Sequence, residues 1–228
     1  MPTREEHAAA ATEFVKTFVP KFERKAKADS ALMRALAVFL GWIGMKTFME
    51  EFSTTMGFTA YLIADHMNNI SVILHEGLHA YQCKKYTRPG QGFLYMLPQL
   101  VGIVALLASL TLLVFSLTGF TWSWWPLAFL LLFAAPLPAY WRMKFEFNAY
   151  CVSMAVRYWC GGTVDDAYIG RLCDRFTNGS YYFMWPFRSW LLKRFLRKLE
   201  WIKSPEVAND PYFFGVHRFL ETRGLLRT

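Results

Sequence analysis

No Asp, Glu, Lys or Arg occurs from residue 89 to residue 141, a run of 53 positions. A helix that crosses the hydrocarbon core of a bilayer needs about 20 predominantly apolar residues. The run has room for two such segments, 97–117 and 124–140, joined by Thr118-Gly119-Phe120-Thr121-Trp122-Ser123. Acidic residues are scarce elsewhere too: 17 Asp and Glu against 25 Lys and Arg give a net charge of +8. No nucleic-acid motif accompanies that excess, so anionic lipid head groups are the expected electrostatic partner, and nucleic acid is not. Cysteine is limited to Cys83, Cys151, Cys160 and Cys173, with no C-x-x-C pair. That reads as free buried thiols in a reducing compartment. The first 30 residues lack an apolar stretch followed by a small-residue cleavage site, so no signal peptide is expected. Internal repeats and low-complexity tracts are also lacking.

The flanks of the uncharged run set an orientation. Lys84, Lys85 and Arg88 precede it, Arg142 and Lys144 follow it, and the connecting turn has no cation. Lys and Arg mark the cytoplasmic side. Both termini and the residues just before the hairpin are therefore expected in the cytoplasm, with the turn opposite. Pro126, Pro136 and Pro138 leave the second limb short or kinked. The competing reading is a buried hairpin in a soluble core, but a chain of 228 residues covers two fully apolar helices poorly.

What is present is Leu74-His75-Glu76-Gly77-Leu78-His79-Ala80-Tyr81, a His-Glu-x-x-His pattern in a helix-compatible segment. With 5 His in the chain, the pattern arises by chance in roughly one such sequence in 200. Residues four apart lie one turn apart on the same helix face, so His75 and His79 are placed to share one zinc ion. Glu76 is placed to act as the general base. Cys83, a further turn along, reads as a packed thiol rather than a ligand.

Around that helix the coarse reading is mainly α. Residues 4–30 carry a charged helical pattern. Residues 31–49 are apolar and suit an interfacial or core helix. Thr54, Thr55, Phe58, Thr59 and Tyr61 favour a strand over 53–63, placed to pair with an extended peptide at its edge. Asp65, Asn68, Asn69 and Ser71 offer N-caps to the next helix. A helix is expected over 142–159, with Thr163 or Asp165 capping another. A basic amphipathic helix is expected over 187–203, which suits either a membrane surface or an ordinary packed helix with a solvated face.

Catalytic zinc takes three protein ligands and keeps a fourth position open. Glu146 is the best third ligand. The hairpin returns the chain to the side it left, and a carboxylate among Phe145, Phe147 and Trp141 needs a positive partner. The alternative for Glu146 is an ion pair with Arg142. An oxyanion donor is still required, for which Tyr150, Tyr181, Tyr182 and His217 are candidates. His66 and His217 each read more simply as structural or surface histidines.

With these residues in place, the chain resembles membrane-embedded gluzincin metallopeptidases of the Ste24/HtpX kind. Their His-Glu-x-x-His helix, transmembrane hairpin and later Glu-x-x-Ala-Asp match His75, Glu76, His79 and then Glu146-Phe147-Asn148-Ala149, with Tyr150 standing where that family has Asp. The match covers roughly residues 70–152. Thr54-Thr55-Met56-Gly57, the helix from His75 to Gln82, and Tyr95-Met96-Leu97-Pro98-Gln99 also look similar to phage and bacterial His-Glu-x-x-His membrane proteins. The resemblance implies one membrane-associated domain, 1–228. It would be a zincin-like helical core with a short edge-sheet element, and a transmembrane hairpin, 97–140, inserted between the helices carrying the ligands. The expected activity is zinc-dependent hydrolysis of peptide or protein substrates at a membrane surface. The alternatives are a non-enzymatic membrane or virion-associated protein that retains a zinc site, and a zinc hydrolase acting on a non-peptide bond.

Overall fold

Pro20 stands two residues past the end of the first helix, α1 (Arg4–Phe18), and the chain then turns into a strand. Thr3 opens α1 with a capping box: its hydroxyl accepts from the Glu6 amide at 3.2 Å, and Glu6 accepts from the Thr3 amide at 2.6 Å. The computed structural model describes residues 2–42, 47–117, 138–178 and 184–227. Within them the chain is mainly helical, with one three-stranded sheet.

The helical pattern expected to run to residue 30 is interrupted by β1 (Glu23–Ala26). Its sequence, Glu-Arg-Lys-Ala, has little intrinsic strand preference. It is held by tertiary pairing, parallel to β3 (Thr59–Leu62). The single strand expected over 53–63 is a hairpin, β2 (Thr54–Met56) antiparallel to β3, which turns through Gly57 at a φ of 65°. Only glycine adopts that conformation without cost. The sheet order β1-β3-β2 leaves β2 as an edge strand.

Between β1 and β2 come α2 (Ala31–Trp42) and α3 (Phe48–Glu51). Lys27 is buried there. Its ammonium donates to the carbonyls of Phe48 (2.6 Å) and Phe52 (2.5 Å), and it sits 3.3 Å from the centroid of the Phe48 ring. Burial lowers its pKa to about 8, a shift that Glu76 opposes.

The central element is α4 (Ile70–Tyr86), capped by Asn69, whose side chain accepts from the Val72 amide at 3.3 Å. Residues 73–80 are all buried, because α1, the sheet and α6 (Tyr140–Trp159) pack around the helix. This is why its sequence shows little amphipathic bias. Gly77 marks the closest approach: a Cβ there would lie 2.5 Å from Val15 of α1 and 2.7 Å from the Tyr212 hydroxyl. The chain ends in α7 (Asp166–Thr177, capped by Asp165), α8 (Arg188–Lys203) and α9 (Pro211–Thr222, capped by Asp210). On α8 the apolar residues Leu191, Phe195, Leu199 and Ile202 are buried in the single core. Its apolar side is thus a packed surface, and its basic side is the open one.

Helix α5 (Arg88–Leu117) begins upstream of the expected limb, and Pro98 lies inside it. A proline ring removes one helical hydrogen bond and crowds the preceding turn, and the helix bends by 53° there. Among the described residues no single helix is long and apolar enough to cross a membrane. Arg88–Pro98 and Leu100–Val114 pass that test together, as a bent pair. Beyond the bend, α5 leaves Ile103, Val104, Leu107, Leu110 and Val114 exposed. The expected turn, and the second limb as far as residue 137, lie outside the described residues.

Candidate metal centre

His75 and His79 stand one turn apart on α4, with ring centroids 5.1 Å apart, and Glu146 reaches them from α6. The His75 Nε2 lies 3.8 Å from one carboxylate oxygen of Glu146, and the His79 Nε2 lies 3.6 Å from the other. One ligand atom from each residue lies within 4.8 Å of the others, and all three residues are buried. They form a group able to bind a metal ion.

The far side of each imidazole is held. The His75 Nδ1 is 3.2 Å from the Ser153 hydroxyl. The His79 Nδ1 donates to the Gln82 carbonyl oxygen at 3.2 Å, and the Gln82 amide donates to the Phe145 carbonyl at 3.5 Å. A partner at Nδ1 leaves Nε2 as the metal-facing nitrogen. Glu146 is fixed as well, because the Tyr95 hydroxyl donates to its Oε1 at 2.8 Å.

Glu76 is buried beside this group. Thr55, on the edge strand β2, donates its hydroxyl to Glu76 Oε2 at 2.7 Å. The β2–β3 hairpin therefore orients the carboxylate that follows the first histidine.

Electrostatics in the cluster follow from burial and proximity. Burial, helped by His79, drives His75 down to about 3, so its ring is neutral. Burial also pushes His79 down, but the Glu146 carboxylate beside it outweighs that and lifts it to about 9. Glu146 is pushed up by burial and pulled back further by His79, His75 and Arg142, to about 2. Without a metal, His79 is therefore the protonated member of the pair and Glu146 the ionised one. Burial raises Glu76, opposed by His79 and by the Thr55 hydrogen bond.

The other residues singled out in the sequence divide clearly. The Tyr150 ring meets His75 edge-on at 4.8 Å, and its hydroxyl accepts from Arg175 at 3.2 Å. His217 packs against Trp159 at 5.0 Å. Trp159 ends α6 at the opposite end from Glu146, about 20 Å away at 1.5 Å per residue. His217 is thus not brought to the cluster. Tyr181 and Tyr182 lie outside the described residues. Cys83 is buried outside the group, and the His66 Nδ1 lies 2.9 Å from the Ser53 hydroxyl. Thr55, Gln82, Tyr95, Ser153 and Arg175 were not assigned to the site from sequence. Gln82 had a readable signal, three residues beyond His79 on α4, and so did Ser153, seven residues beyond Glu146 on the same face of α6.

No family model matches the chain, and neither a curated protein nor a solved structure matches it. The resemblance to gluzincins rests on the motif residues themselves.

Proposed function

We propose that the protein is a zinc-dependent peptidase acting on substrates presented at a membrane surface. The observation that carries this reading is the convergence of His75, His79 and Glu146, reached from two helices far apart in sequence, beside a buried Glu76. The donor set suits zinc: two imidazole nitrogens and one carboxylate oxygen, with each imidazole braced from behind. A site serving stability alone has no use for Glu76, a buried carboxylate outside the ligand set.

His75, His79 and Glu146 would hold the ion. Zinc bound there supplies Lewis acidity, which brings the pKa of water in the open position towards about 7. Glu76 is the proton acceptor in this reading and returns the proton to the leaving amine. Thr55 keeps its carboxylate in one orientation. Tyr150, with Arg175 behind it, is the candidate donor to the oxygen on which negative charge develops. The edge position of β2, which carries Thr55 beside Glu76, suits the pairing of an extended peptide. The bent apolar helix α5 and the +8 net charge support placing this chemistry at a lipid surface.

Elemental analysis and cleavage of an unstructured protein test the reading together. Glu146→Ala is expected to lose bound zinc. Glu76→Gln is expected to keep zinc and lose hydrolysis by at least about 100-fold in kcat. A wild type that binds zinc but cleaves no peptide across a random library transfers the site to a non-enzymatic membrane or virion role.

A further inference from the structure

Trp190, Arg194, Arg197, Lys198 and Trp201 recur along α8 at spacings that place them on one helix face. They line a groove of about 410 Å³, with Phe147 of α6 as a further wall. Arg194 and Lys198 are set against aromatic rings, and Arg197 donates to the Lys193 carbonyl at 3.4 Å. The Arg194 guanidinium lies 4.6 Å from the Trp190 centroid and 5.2 Å from that of Phe147. The Lys198 ammonium lies 3.1 Å from the Trp201 centroid and 4.8 Å from that of Phe213. Among the described residues, the ion pairs made by α8 use Arg188 and Lys203, and none involves Arg194, Arg197 or Lys198. Lys198 is half-buried, and burial lowers its pKa. A half-buried ammonium and two guanidinium groups thus line one concavity whose described lining contains no acidic side chain, with Asp210 near enough to Lys198 to oppose the effect of burial on its pKa.

We propose that this groove binds a phosphate-bearing anion. Guanidinium groups match tetrahedral oxyanions through paired donors, and lysine adds a point charge. A phosphate monoester carries about −1.5 to −2 at neutral pH, which suits three cations better than a single carboxylate does. The volume falls in the range of small-molecule sites, about 300–1,000 Å³. It leaves room for the part of the ligand beyond the phosphate. Lipid head groups and soluble phosphates share this chemistry. The groove lies on α6 and α8, and its proposed ligand does not depend on metal binding by His75 and His79.

Isothermal titration of the full chain in a neutral maltoside detergent tests the proposal and separates the sources. The probes are inorganic phosphate, dihexanoyl phosphatidate and zwitterionic dihexanoyl phosphatidylcholine. Binding of phosphatidate or phosphate, with phosphatidylcholine much weaker, is expected. Arg194→Gln/Lys198→Gln is expected to weaken it at least about tenfold, since hydrogen bonds to charged groups contribute about 1.5–3 kcal/mol. The exposed Arg197→Gln alone is expected to weaken it about threefold or more, and it guards against a folding defect in the double variant. Lys21→Gln/Arg223→Gln removes the same charge elsewhere and is expected to change little. Phosphatidate binding well above phosphate assigns the groove to a lipid; equal binding assigns it to a soluble phosphate. The proposal is overturned if neither anion binds, or if the control pair weakens binding as much as the groove pair. Groove-dependent binding of a single-stranded DNA decamer that exceeds both small anions overturns it too.

Discussion

Tyr95 donates its hydroxyl proton to Glu146 Oε1 at 2.8 Å, which ties the first turns of α5 to the carboxylate that completes the metal cluster. The same oxygen lies 3.6 Å from His79 Nε2. The hydrogen bond thus fixes the orientation of Glu146 relative to both histidines. Tyr95→Phe removes it and keeps the ring. Loss of an outer-shell partner of this kind costs about 10–100-fold in metal affinity or activity. Competition with a chromophoric chelator is expected to show zinc affinity reduced within that range, with secondary structure unchanged by circular dichroism. Unchanged affinity would mean that Glu146 needs no such support.

Zinc uptake is expected to strengthen with pH. His79 is lifted to about 9 by Glu146, so near neutral pH the metal must displace a proton from the cluster. Apparent affinity then rises about tenfold per pH unit up to about 9 and levels off above it. In the metal-free protein the sign of the stability contribution follows from the same two groups. His79 is raised, so its contribution is complete below 6.5 and is lost as pH rises towards about 9. Glu146 is depressed, so its contribution is complete above 4.5 and is lost as pH falls towards about 2. Calorimetry at pH 7 in buffers of different ionisation enthalpy should report about one proton released per zinc bound. A flat affinity between pH 6 and 8 would remove the proton from His79.

What the sequence made legible was the local part of the site. Helical spacing joined His75, Glu76 and His79, and the isolation of Glu146 among aromatic residues marked it as needing a positive partner. Apart from Gln82, one turn beyond His79, the bracing residues come from elsewhere in the chain. Thr55 meets Glu76 from 21 positions away and Tyr95 meets Glu146 from 51, distances over which no periodicity carries information. The sheet was half legible for the same reason. Threonines and aromatics marked β2 and β3, whereas Glu23–Ala26 becomes a strand only because β3 lies alongside it. His217, a candidate oxyanion donor that read more simply as a structural or surface histidine, packs on Trp159, towards the other end of α6 from Glu146.

Gly77→Ala is expected to destabilise the fold although alanine favours helix. The added Cβ would stand 2.5 Å and 2.9 Å from the two methyls of Val15 and 2.7 Å from the Tyr212 hydroxyl. Val15 is fully buried, and Tyr212 is tied to the Leu74 carbonyl at 2.8 Å, so neither moves cheaply. Overpacking costs about 1–3 kcal/mol against roughly 0.5–1 kcal/mol gained in helix preference. A net loss of about 1–2 kcal/mol lowers Tm by roughly 2–8 °C in a domain of this size. In a Val15→Ala background the same substitution should cost less, because the space is open. An equal cost in both backgrounds would place the strain elsewhere.

The path of the chain through a bilayer is the last expectation, and the bend at Pro98 sharpens it. Leu100–Val114 is 15 residues long by itself, about 22 Å at 1.5 Å per residue, and is short of a hydrocarbon core of about 30 Å. Followed to Leu117, where α5 ends, it reaches about 27 Å, close enough to cross with modest local thinning of the bilayer. The cations at Lys84, Lys85, Arg142 and Lys144 are expected to hold both ends of the uncharged run on one side. A hairpin that crosses fully puts Ser123 on the opposite side from Lys84; a re-entrant loop returns it to the same side. Cys83, Cys151 and Cys173 are buried, so Cys160→Ser is the one replacement needed before single cysteines are introduced at positions 84, 123 and 144. With a membrane-impermeant maleimide added to sealed inverted vesicles, positions 84 and 144 should react and position 123 should react only after permeabilisation. Reaction of position 123 together with position 84 would make α5 one arm of a re-entrant loop. The cluster of His75, His79 and Glu146 would then sit beside a lipid leaflet that the chain enters without crossing.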